Sequence, residues 1–162
     1  MKNFIGLFIL TVLFLAPFEV FAEEDLPTVR LRVLASHIAN KIVTEAVINC
    51  STRGYLVSAA GVDRNGNLVA FLRNPLSGPH TIKVRQRKAY SSATLRADTS
   101  QMGARSDLSF APDILLIVGG VPISFSGIFY GGVAVSGAPP DIDEECAKAG
   151  LEAVADIMDF VD

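Results

Sequence analysis

Apolar positions over residues 28–49 recur at helical spacing. Leu31, Leu34, Ala35, Ile38, Ile42 and Ala46 fall on one side of a helical wheel, with Arg30, His37, Lys41 and Thr44 opposite. This predicts an amphipathic helix lying on a core, with Thr28 as its cap. The pattern then shortens to that of strands at residues 55–62 and 68–73, separated by Asp63-Arg64-Asn65-Gly66-Asn67. Asn-Gly between apolar runs signals a β-hairpin. After a loop at 74–78, Pro79 stands where a helix can begin, and residues 80–97 are predicted helical. Their inward stripe would be Ile82, Ala89, Ala93 and Ala97, with Tyr90 at its margin. Residues 98–112 are polar and mixed, a short helix and a loop. Three more strands are predicted at 114–118, 121–125 and 128–136, divided by Gly119-Gly120 and Ser126-Gly127. Gaps this short admit no crossover helix, so the strands form an antiparallel meander. Asp141 followed by Glu144 resembles a capping box and opens a last helix to about Met158. The order is α-β-β-α-β-β-β-α, an α+β domain with helices against a five-stranded antiparallel sheet.

Composition changes this picture at one end. The chain has 162 residues, half of them apolar, and five of its ten Phe lie in the first 22. That segment carries Lys2, an apolar run from Phe4 to Phe14, and the ending Val20-Phe21-Ala22. This is the layout of a secretory signal peptide cleaved after Ala22. The run is shorter than the ~20 residues a spanning helix needs, and Pro17 and Glu19 interrupt it. Residues 23–162 then form a single domain of a periplasmic or secreted protein. The residue immediately after the cleavage point is Glu23 and not Cys, which argues against a lipoprotein. The net charge of −3 argues against a nucleic-acid binder. Export also permits a Cys50–Cys146 disulfide, two buried free thiols being the alternative.

Chemical motifs are few. His37 and His80 have no metal-ligand spacing, no Ser lies in a nucleophile elbow, and no catalytic residue is assigned. Gly131 to Gly137 lies inside a strand and reads as close packing on the sheet, not as a nucleotide fingerprint. His37 falls on the polar face of the first helix as a surface residue. His80 sits at a helix start, where free N–H groups favour anions; a position without a ligand role is the alternative. Lys83, Arg85, Arg87 and Lys88 place four cations in six residues. They read as a solvated rim, or as partners for the carboxylates of an acidic ligand.

Several segments in order carry a resemblance: Val62-Asp63-Arg64-Asn65-Gly66-Asn67-Leu68-Val69, Gly78-Pro79-His80-Thr81, Arg87-Lys88-Ala89-Tyr90, Gly119-Gly120-Val121-Pro122-Ile123, Gly131 to Gly137, and Asp143-Glu144-Glu145-Cys146. Together they resemble the GlcG/HbpS family, which includes extracellular haem-binding proteins. The resemblance implies a profilin-like fold and assembly into dimers or higher homo-oligomers. It also implies haem as cofactor, with a membrane sensor or transporter as a further partner. In secreted members a Thr after the second helix is linked to the haem iron; the matching stretch here is Ala97-Asp98-Thr99-Ser100. The expected haem site surrounds the second helix, with Thr99 or His80 toward the iron and Lys88, Arg85 and Arg87 toward the propionates. The function implied is non-catalytic haem capture, buffering or sensing, the alternative being a small-molecule or haem-degrading enzyme or an accessory domain.

Overall fold

The computed structural model describes residues 27–159, so the expected signal peptide lies outside the described residues. The chain divides into residues 1–30, of which 27–30 are described and carry no helix or strand, and residues 31–162, which hold the regular elements found among the described residues. In order these are α1 (Ser36–Thr52), β1 (Ser58–Asp63), β2 (Leu68–Arg73), α2 (Thr81–Leu95), two 3₁₀ turns (Thr99–Met102 and Ser106–Phe110), β3 (Gly120–Phe125), β4 (Ile128–Ser136), α3 (Pro140–Glu152) and α4 (Ala155–Met158).

The sheet is antiparallel, in the order β2-β1-β4-β3. Period-two alternation divides its two faces. Ala59, Val121, Ile123, Val133 and Val135 face α1 and α3 and join Ile38, Ile42, Val43, Ala46, Cys146 and Ala147 in the main core. On the other face Val62 and Ala134 meet Ala89 and Ala93 of α2. Small residues there let the helix backbone lie directly on the strands. A Cβ at Gly132 would stand 2.4 Å from Ala89 O, and one at Gly120 would stand 2.5 Å from Lys88 O. The glycine-rich stretch is thus close packing, as its place within a strand suggests.

Both hairpin turns follow their sequences. Asp63 Oδ1 accepts the backbone N–H groups of Asn65 and Asn67, and Gly66 takes a positive φ of 83°. Ser126 and Gly127, at φ 47° and 78°, make the two-residue β3–β4 turn whose twist suits paired strands. Cys50 and Cys146 are bridged, their Cα atoms 5.6 Å apart, tying the end of α1 to the first half of α3.

Four expectations are corrected. The sheet has four strands, not five, because residues 114–118 do not pair with it. Their backbone is taken by side chains instead: Arg87 donates to Asp113 O and Ile114 O, Ser91 Oγ accepts from Leu115 N, Thr99 Oγ1 donates to Ile117 O, and Lys88 Nζ donates to Val118 O. Helix α1 begins at Ser36 after Ala35, not at Thr28. The preceding Val29-Arg30-Leu31-Arg32-Val33 alternates with period two and contains β-branched residues, which favours extended backbone, and Leu31 and Val33 are exposed. The last helix is interrupted at Ala153 and Val154, so that Val154 and Met158 stay in the core. No side-chain capping box opens it. Pro139 stands at the N-cap, and Asp143 Oδ1 accepts Ala138 N.

Candidate functional site

The inward stripe of α2 differs from the apolar one expected. Thr81, Arg85, Lys88, Ala89 and Ser92 are buried, while Ile82 is 41% exposed. Two of the four clustered cations therefore point inward and not into a solvated rim. The polar ends of these two long side chains find backbone carbonyls, Lys88 that of Val118 and Arg85 those of Ala59 and Thr81.

Lys88 is fully buried. Its Nζ donates to Val118 O at 2.8 Å and to Asp143 Oδ2 at 3.0 Å. Asp143 in turn accepts Ala138 N at 3.0 Å. Burial pushes the Lys88 ammonium below its ordinary value against the opposing pull of Asp143, and burial pushes the Asp143 carboxyl above its own. The positive φ at Gly119 makes room for this pair, since a Cβ there would stand 2.4 Å from Lys88 Nζ.

Above the pair lies a cleft of about 310 Å³ between the starts of α2 and α3 and the end of β4. Its walls include His80, Thr81, Val84, Ile117, Ser136 and Gly137, with Lys88 and Asp143 among its lining. His80 is exposed at the N-cap of α2. Its ring lies over Gly78, where a Cβ would come within 2.7 Å of the imidazole Cε1.

Of the five residues expected around a ligand, the cleft brings together His80 and Lys88. The ammonium of Lys88 is engaged with Asp143 and is not free at the surface. Arg87 is exposed in a separate groove of about 490 Å³ along α2, with Lys83, Gln86 and Tyr90. Arg85 is buried toward β1 and β2: it donates to Ala59 O, Ser58 Oγ and Thr81 O, and its guanidinium stacks on Phe71 at 3.7 Å. Thr99 is 1% exposed; its Oγ1 donates to Ile117 O and accepts Gly120 N, each at 3.0 Å, so it joins the 114–118 segment to β3. His37 is exposed beside an apolar cleft with Tyr130 and Met158. The residue missed from sequence is Asp143. Its signal was legible, because it precedes Cys146, Ala147 and Gly150 on the buried stripe of α3 at helical spacing. An acid on such a stripe calls for a buried cation.

Residues 34–152 match the family described as Haem degrading protein HbpS-like. The chain belongs to this HbpS-like family. The crystal structure of HbpS superposes with a TM-score of 0.74 at 32% identity, covering 79% of this chain and 94% of HbpS. A double mutant of Streptomyces reticuli HbpS gives the same TM-score and identity, over 86% of this chain and 97% of that one. The crystal structure of a PduOC:Heme complex shares the fold at 20% identity and a TM-score of 0.67, covering 75% and 95% of the two chains. No curated protein matches the chain. In this HbpS-like chain the four-stranded sheet and helices α1, α2 and α3 fall within the matched residues, and α4 follows them.

Proposed function

We propose that the protein is an exported, non-catalytic haem-binding protein that serves haem capture, buffering or sensing. The observation that carries this reading is the exposed imidazole of His80 at a cleft with an apolar wall, in a chain of the HbpS-like family. The donor set fits haem. Imidazole is a common haem-iron ligand, and Val84 and Ile117 supply apolar surface. Lys83 follows His80 at i+3 on the helix and is exposed for a propionate, whereas the Arg87 guanidinium is held by Asp113 O and Ile114 O. When bound, haem would supply an iron centre open to a protein donor. His80 would hold it in preference to Thr99, whose hydroxyl is occupied by backbone groups on both sides.

Titration of the purified mature protein with haemin tests the reading. A saturable Soret band is expected, with His80→Ala weakening binding at least tenfold and altering the band. If Thr99→Ala changes the spectrum and His80→Ala does not, the ligand is Thr99. Absence of any saturable band overturns haem binding. The family's description favours a second reading, turnover of haem. Under reductant and oxygen the non-catalytic protein keeps its Soret band, whereas conversion to an open tetrapyrrole would show an enzyme.

Export rests on the charged and apolar start of the chain and on the disulfide, which persists in oxidising compartments. The intact mass of the protein from its host is expected to begin at Glu23. A full-length species retained in the membrane overturns this. Within that compartment the reading includes a homo-oligomer and contact with a membrane sensor or transporter.

A further inference from the structure

Two guanidiniums meet on the α2 side of the sheet edge without a counter-charge. Arg73 ends the edge strand β2, opposite Ser58 of β1. It lies on the same face as Phe71, two residues before it. Arg85 reaches that place from α2, donating to Ser58 Oγ and stacking on Phe71. Among the described residues neither arginine has a carboxylate within 4.0 Å. Arg85 is 2% exposed, and its bonds are to two carbonyls and one hydroxyl, all through Nε and Nη1. Arg73 Nη2 donates to Ser77 O, while its Nε is buried without any partner.

A buried charge without a partner is costly, and guanidinium donors left over next to one another match the oxygens of a carboxylate or phosphate. Burial, and then the charge of Arg73, pushes Arg85 down to about 10, which leaves it cationic at neutral pH. Helix α2 packs on β4, β1 and β3, and Phe71 on β2 remains 42% exposed. The site therefore has an open flank.

We propose that Arg73 and Arg85 form an oxyanion site at the β2 edge, distinct from the His80 cleft, which takes a carboxylate or phosphate group. The group could come from a free anion or from a haem propionate, and two arms separate these sources. In the first arm, thermal unfolding of the haem-free protein is followed with inorganic phosphate or acetate, against sodium chloride at equal ionic strength. A free-anion site gives a Tm gain of a few degrees with one of them that Arg73→Gln abolishes. In the second arm, haemin affinity is compared between wild type and Arg73→Gln, and a propionate contact gives at least a tenfold loss. Arg85→Met serves as a second variant in both arms. If neither arm responds to either substitution, the site is overturned. The first arm does not involve haem, so it stands whether or not the His80 reading holds.

Discussion

Lys88→Ala and Asp143→Ala are each expected to lower the unfolding free energy by about 3–5 kcal/mol, the usual cost of leaving one member of a buried ion pair uncompensated. Both side chains are almost wholly enclosed, at 0% and 5% exposure, so neither charge can turn to solvent when its partner is removed. Lys88→Met combined with Asp143→Leu is expected to cost far less than the sum of the single changes, because the double variant leaves no buried charge. Urea unfolding of the four proteins measures the coupling. Equal and additive losses would show that the pair acts by packing alone. The pKa shifts add a pH dependence with a definite sign. Asp143 titrates above its unfolded value, so its contribution is fully present below about pH 3.8 and is lost as pH rises through its folded pKa. Lys88 titrates below its unfolded value, so its contribution is present above about pH 10.5 and is lost as pH falls through its folded pKa. The same pair forms the floor of the His80 cleft, so its loss should also loosen the junction of α2, α3 and the 114–118 segment that shapes it.

Removing the Cys50–Cys146 bridge should be comparably costly. The bridge closes a loop of 96 positions, for which the chain-entropy argument gives about 4–5 kcal/mol. Paired replacement by Ala, or reduction of the wild type, is expected to lower stability by about that amount, and reduction should leave the Ala variant unchanged. The substituted side chains also vacate core positions between α1 and α3, both cysteines being 0% exposed. A Cβ at Gly150 would stand 2.4 Å from Ile42 O, so these helices cross with little space between them and cannot collapse to fill the vacancy. If reduction leaves the urea midpoint unchanged, the bridge does not restrain the unfolded chain in this way.

Much of the framework was legible in the sequence because it depends on local chemistry. Gly66 in the first hairpin turn, and Ser126 with Gly127 in the second, supply the positive φ values those turns require. The stripe from Ile38 to Cys50 repeats at helical spacing and is buried along its length. Only the assembled fold decided what the remaining segments do. Residues 114–118 carry the apolar composition of a strand, yet Arg87, Lys88, Ser91 and Thr99 satisfy their backbone groups before another strand can. The cations of α2 look alike in sequence, but their positions around the helix relative to the sheet separate them. Lys88 goes under the helix to Asp143, Arg85 toward the β2 edge, and Arg87 to the surface. Local propensity sets where a helix or turn forms. Which buried charge finds a partner depends on residues 55 positions apart, and only packing brings those together.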